Sequence, residues 1–461
     1  MKKIIITGVL IMNTINSHSK IIPDYKNLDF KPEIVKPVFI GPNKIKAYIK
    51  KDSSLPTIRI TAFIKTGHVY DPSDKVGLGS LFFNMIKDGG TKKFKSDEID
   101  KKLEYLGAEI NTSINNEDAS ISMFCHKNNF DDVFEIFADI VQNPAFEEEK
   151  FNLKKQEAIE IIKRRNDEPS KQASREALRL FFGRNHPYGR RPEIENIEKI
   201  TVDDLKKYHS NFFSSKNIVL SVAGDFDEKE ITKKLESYFS ELLGKEITLP
   251  ELEEPVITSG KKIYVIDKPI RQAFVVILNK GIKRHDDREF PLSVLTEYIG
   301  GGIQSKLGNE IRSKRGLAYS VYQYFSKRDK SGFIMTSLGT KPESVGEAIY
   351  NIFNELKKAK EKLDEKELNI AKSQIINSYV FRFETVASLL NEIASYDIYS
   401  YPEDYIEKYT QRIDSVKDKD AIKMAKEFYD LDNYLIFIVG DYKKFESGIK
   451  EFGEVNLLKE D

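Results

Sequence analysis

The chain has 461 residues, and its 73 Lys+Arg are balanced by 73 Asp+Glu, so it lacks the cationic excess that nucleic-acid or acidic-membrane binding requires. With 40% hydrophobic and 11% aromatic residues, it reads as a folded chain of about two to four domain-sized units and not a disordered one. A single cysteine, Cys125, excludes an internal disulfide framework and a cysteine-based zinc finger.

Met1-Lys2-Lys3 followed by the apolar run Ile4-Ile5-Ile6-Thr7-Gly8-Val9-Leu10-Ile11-Met12 has the charge-then-apolar order of a secretory signal. Residues 1–20 are therefore expected to be a signal peptide, and the polar stretch up to Pro37 a linker. The expected location is periplasmic or secreted; a cytoplasmic chain, with the run as a first strand or a disordered start, is the alternative. No later segment approaches the roughly 20 apolar residues of a bilayer span, so no stable membrane span is expected.

The first regular strand reads Thr57-Ile-Arg-Ile-Thr-Ala-Phe-Ile and ends at Gly67. A helix then stops at Gly89-Gly90. Ala119, Ile121, Met123 and Cys125 alternate with Ser120, Ser122 and Phe124, as in a strand covered on one side. Phe134, Phe137, Ala138 and Val141 recur at helical spacing up to Asn143-Pro144, a helix stop. Glu149 opens a long charged helix. Its Lys154-Lys155 and Lys163-Arg164-Arg165 read as solvated faces, or as a cationic lining that attracts acidic peptides.

These landmarks recur. Gln272-Ala-Phe-Val-Val-Ile-Leu-Asn-Lys-Gly281 repeats the first strand at an offset of about 214 residues, and Phe437-Ile-Val-Gly-Asp-Tyr442 repeats Ser221-Val-Ala-Gly-Asp-Phe226 at about 216. Glu365-Lys-Glu-Leu-Asn-Ile matches Glu149-Lys-Phe-Asn-Leu. Two homologous domains are expected over residues 35–245 and 260–455, joined by a linker at 246–259 that carries two prolines and an acidic cluster. Strands and helices mix without strict alternation, so the fold class is α+β, each domain a largely antiparallel sheet with helices packed on one face.

Four stretches resemble the M16 peptidases, the family of insulinase, pitrilysin and mitochondrial processing peptidase. They are Gly67-His-Val-Tyr-Asp-Pro-Ser-Asp-Lys-Val-Gly-Leu-Gly79, Asn185-His-Pro-Tyr-Gly-Arg190, Gly300-Gly-Gly-Ile-Gln-Ser-Lys-Leu307 and Arg315-Gly-Leu-Ala-Tyr-Ser320. The resemblance covers nearly all of the chain after residue 35 and implies the same duplicated α+β unit. In active members the helix after the first stretch carries H-x-x-E-H. Its two His bind Zn²⁺ from one helix face, and its Glu acts as general base on the metal-bound water.

Here the corresponding positions are Ser80, Phe83 and Asn84. On a helical wheel Leu78, Leu81, Phe82 and Met85 form the core stripe, and Ser80, Phe83 and Asn84 project together on another face. The family's distal glutamate position falls on Ile161, beside Glu160. Hydroxyl, benzyl and carboxamide groups match zinc's preference for N and S donors poorly, and one carboxylate does not hold zinc. Of the six His, no two lie at i,i+3 or i,i+4. His186 belongs to a structural turn, and His68 is expected to be exposed. Metal-dependent catalysis by this chain alone is rejected, and no cofactor is expected on it.

The resemblance further implies that Arg315 and Tyr319 are substrate-binding donors that face a zinc site from the second domain. The alternative is a helix end capped by Gly316 with Tyr319 as a packing residue. The run Gly300-Gly301-Gly302 lacks both G-x-G-x-x-G and a P-loop ending and reads as a tight turn. Some family members divide the work between a zinc-bearing subunit and one supplying the Arg/Tyr pair. By that likeness this chain is expected to be the non-catalytic, substrate-engaging subunit of a heterodimeric zinc endopeptidase, with zinc on its M16 partner and a peptide as substrate. A structural scaffold subunit and a self-sufficient zinc endopeptidase are the alternatives.

Overall fold

The structure is a computed structural model that describes residues 31–240 and 242–460; the expected signal peptide at 1–20 lies outside the described residues. The first six strands are β1 (Val38–Ile40), β2 (Ile45–Lys51), β3 (Thr57–Ile64), β4 (Glu109–Ile114), β5 (Ala119–His126) and β6 (Ile218–Gly224). They form one sheet in the order β1-β2-β6-β3-β5-β4, in which only the β2–β6 pair is parallel. The other six are β7 (Lys261–Asp267), β8 (Ala273–Lys280), β9 (Ala318–Ser326), β10 (Phe333–Thr340), β11 (Tyr434–Gly440) and β12 (Glu454–Leu458). Their order is β12-β7-β11-β8-β10-β9.

The two sheets superpose in topology strand for strand, β2 through β6 on β7, β8, β9, β10 and β11. The closing strand differs. The first sheet takes β1 antiparallel to β2, whereas the second takes β12, from the far end of the chain, parallel to β7. The α+β duplication read from the sequence is therefore the architecture of the protein.

Burial explains the sequence patterns. β6 and β11 are buried at every position, and both are near-continuous apolar runs, as strands covered on two faces must be. In β5 the alternation holds, with Ala119, Ile121, Met123 and Cys125 buried toward the helices. Each half packs its own helices on one face of its sheet, Phe82, Phe134 and Phe137 meeting Ile60 and Ile121 in the first, and Leu295, Ile299 and Ile352 meeting Val275, Ile277 and Ile436 in the second.

The opposite face of each sheet is covered by a helix from the other half. Helix Pro169–Phe182 lays Ala173, Ala177, Phe181 and Phe182 against Val276, Leu278, Leu435 and Phe437. Helix Val386–Ile398 returns Leu390, Ala394 and Ile398 onto Tyr48, Val219 and Ala223. Residues 245–260 carry no helix or strand; Thr258 in this segment donates to the carbonyls of Phe181 and Leu180.

A buried polar cluster ties the halves at the β4–β5 turn. The Glu117 carboxylate accepts from the Tyr188 hydroxyl at 2.6 Å, the Asp329 backbone N–H at 2.9 Å and Arg284 at 2.5 Å. Arg284 also pairs with Asp329 at 2.7 Å and lies 3.6 Å from the Tyr399 ring centroid. Every group in this cluster is matched, which is the condition for burying charge. Tyr188 belongs to the Asn185-His-Pro-Tyr-Gly-Arg190 stretch, and Arg190 donates to the carbonyls of Val69 and Asp71. Two of the four diagnostic stretches are thus joined by structural bonds.

Candidate functional site

The helix that corresponds to the family's zinc helix runs Leu78–Asp88. Its start is fixed from below. The Asp71 carboxylate accepts the backbone N–H groups of Gly77 and Gly79, both at 2.8 Å, meeting two of the donors that a helix N-terminus leaves open. Gly77 has φ of 101°, in the left-handed region that a side chain disfavours. Burial pushes the Asp71 carboxyl up to about 6, against the opposing pull of these N–H groups.

Ser80 is half-buried and Asn84 exposed, on one face of this helix. Phe83 departs from the helical-wheel expectation. It is 1% exposed, packs edge-on against Phe82 at 5.2 Å, and lies among Tyr208 and Phe213. Burial of the benzyl group among these rings stabilises the helix against the core. The Phe83 carbonyl accepts from the Thr112 hydroxyl at 2.8 Å, tying the helix to the edge strand β4.

On helix Glu148–Lys163, Ile159 and Ile162 are buried and Ile161 is 69% exposed. Glu160, the neighbour that a one-residue slip would choose, is bonded to Lys163 at 2.7 Å, which holds its carboxyl below the usual range. The groups at these four positions do not fit zinc. Among the described residues no three His, Cys, Asp or Glu are grouped to hold a metal ion.

The histidines are placed singly. His68 is half-buried, not exposed as expected, and burial lowers its pKa. His209 stacks on Phe213 at 4.6 Å with Nε2 2.8 Å from the Val141 carbonyl. His186 accepts from the Tyr188 N–H through Nδ1 and bridges to the Glu253 carbonyl.

In the second half the chain runs through a π-helical turn, Gly308–Lys314, closed by Gly316 at φ 63°. Arg315 is bonded to Glu310 at 2.9 Å and lies 3.5 Å from Glu347. Tyr319 is 81% exposed near the start of β9, and the guanidinium over its ring, at 4.9 Å, is that of Arg312. The structure therefore brings Tyr319 together with Arg312 and occupies Arg315 elsewhere. A register shift between Leu338 and Thr340 leaves Tyr319 and Ser320 opposite Gly339, a bulge of the kind that re-aims a side chain. Tyr322 and Tyr324 follow on the same strand, half or nearly half exposed. The reading of the sequence passed over Arg312, Tyr322 and Tyr324; the spacing Tyr-x-x-Tyr-x-Tyr was the signal for the two tyrosines. β9 ends its sheet, so its outer N–H and C=O groups have no strand partner among the described residues.

The comparisons agree with this geometry. Residues 46–191 match the family model "Insulinase (Peptidase family M16)" and residues 199–375 the model "Peptidase M16 inactive domain". An uncharacterized zinc protease of Streptomyces coelicolor is 22% identical over 81% of this chain and 83% of its own length. The non-peptidase homolog YmxG of Helicobacter pylori is 25% identical over 88% and 94%. Among solved structures, a peptidase M16 inactive domain from Pseudomonas fluorescens aligns with a TM-score of 0.78 at 22% identity, covering 88% of this chain and 97% of its own. The periplasmic protease PqqL of Escherichia coli aligns with 0.74 at 14%, covering 90% of this chain and 47% of its own. With both halves matched in order and the fold shared, the chain belongs to the M16 peptidase family.

Proposed function

We propose that this chain is the substrate-engaging, non-catalytic subunit of a two-chain M16 zinc peptidase, its zinc carried by a partner with an intact H-x-x-E-H helix. The observation that carries the reading is the contrast between its two faces. Ser80, Asn84 and Ile161 match zinc's donor preference poorly, whereas Tyr319 stands exposed on the open edge strand with the half-buried Arg312 guanidinium over its ring. A guanidinium and a phenol are hydrogen-bond donors, useful where a peptide carbonyl gains negative charge. Arg315, bonded to Glu310 at 2.9 Å and 3.5 Å from Glu347, lies beside the turn that carries Arg312 with its charge paired. The charge-then-apolar order of residues 1–12, and PqqL's description as periplasmic, support export.

Reconstitution tests this. The chain mixed with a zinc-bearing M16 partner should raise peptide cleavage, and Arg312→Ala or Tyr319→Phe should lower kcat roughly tenfold with the complex intact. Unchanged kcat in both variants would count against the reading. A scaffold role is the second reading, favoured by the ion pairs that occupy Arg315; peptide binding that depends on Tyr319 separates the two.

A further inference from the structure

Where the two halves meet, a cavity of about 360 Å³ lies between β2, helix Val386–Ile398, helix Tyr405–Asp414 and residues 32–37. None of its lining residues belongs to helix Leu78–Asp88 or to β9. The volume is that of a small-molecule site. Its walls are aromatic and aliphatic, formed by Tyr48, Tyr396, Tyr401, Leu389, Ile393 and Ile406.

Its charged groups are mostly acidic. Asp397 is satisfied inside the protein, accepting from the Tyr48 hydroxyl at 3.0 Å and pairing with Lys46 at 2.8 Å. Glu33 pairs with Lys50 at 2.6 Å. Glu403 and Glu407 stand exposed on the rim with no ion pair among the described residues, and the remaining cation of the lining is Lys36. Burial, and then the charges of Asp397 and Glu403, hold the Tyr48 phenol well above its usual range.

We infer that this cavity binds a small organic ammonium ion with a flat apolar body, its ring against Tyr48, Tyr396 and Tyr401 and its ammonium toward Glu403 and Glu407. Tyrosine faces and carboxylates both attract cations, the apolar walls take the ring, and an anion of the same shape is repelled. Tyr48 comes from the first half and Ile393 and Ile406 from the second, so an occupant touches both halves and stabilises their junction.

The chain contains no Trp, so an indole probe can be followed by its own fluorescence. Tryptamine is titrated against indole-3-propionate, which has a similar ring and tether but a carboxylate in place of the ammonium. The expected result is saturable tryptamine binding, at least about tenfold tighter than indole-3-propionate. A Glu403→Gln, Glu407→Gln double variant should weaken tryptamine roughly fivefold with unchanged thermal unfolding. Ile393→Phe, which fills the cavity, should weaken both probes. Absent saturation, equal affinity for the two probes, or an affinity unmoved in the double variant overturns the proposal.

Discussion

The two halves share a topology and differ in what they present. In the first, the helix that would carry a metal shows a hydroxyl and a carboxamide to solvent and has turned Phe83 into its core. In the second, the bulged edge strand keeps a tyrosine outward with a guanidinium over it. The fold is held elsewhere: by the Asp71 carboxylate under the helix start, the Arg190 bonds, the exchanged helices and the Glu117 cluster. The difference teaches that the scaffold's constraints are separate from those of the chemistry, because among the described residues no side-chain hydrogen bond or ion pair that holds the fold runs through Ser80, Asn84 or Tyr319.

Breaking the comparison at Phe83 should have the largest effect. Phe83→Glu, the change that a rebuilt H-x-x-E-H needs, removes a fully buried ring and introduces a carboxyl in its place, and should cost about 5 kcal/mol in urea denaturation. Ser80→His and Asn84→His, on the solvent face, should cost within about 0.5 kcal/mol. Phe182→Ala should cost about 3–5 kcal/mol and Leu390→Ala about 2–5. Because these helices are exchanged, either should lower one common unfolding transition; two separate transitions would show that the halves fold independently.

A pH series sharpens the contrast from the second half. Burial pushes the Glu297 carboxyl up to about 7, above the ordinary value near 4 that it takes in the unfolded chain. The folded state therefore holds this proton more tightly, so the associated stability is fully present below about pH 4 and is lost as pH rises through about 7. Asp71, pushed up to about 6, contributes in the same direction over a lower window. Glu297→Gln should abolish a loss on the order of 2–3 kcal/mol between pH 4.5 and 8, read from denaturation midpoints. Glu117→Gln should cost about 2 kcal/mol, less than an isolated buried pair because Arg284 keeps Asp329. The smallest effect belongs to Tyr319→Phe, which should leave stability within about 0.5 kcal/mol.

Much of this was legible in the sequence. The repeat at about 214–216 residues, the alternation of β5 and the continuous apolar runs of β6 and β11 follow from side-chain periodicity, which the backbone imposes directly. The loss of metal ligands at Ser80, Asn84 and Ile161 needed only residue identity. The exchange of helices did not show, because Ala173, Ala177, Phe181 and Phe182 form the same apolar stripe whichever sheet they cover. Phe83 was misplaced because a wheel with one core stripe overlooks a helix buried on more than half its circumference. Arg312 escaped because a π-turn and a bulge shift both the helical and the strand periods between it and Tyr319.

The central claim is that the first half cannot hold the catalytic metal while the second half remains competent to meet a substrate. Metal analysis of the purified chain after equilibration with Zn²⁺ and gel filtration tests it most directly. The account predicts far less than one zinc per chain; one equivalent, lost on substituting Asn84 or Glu160, would contradict it.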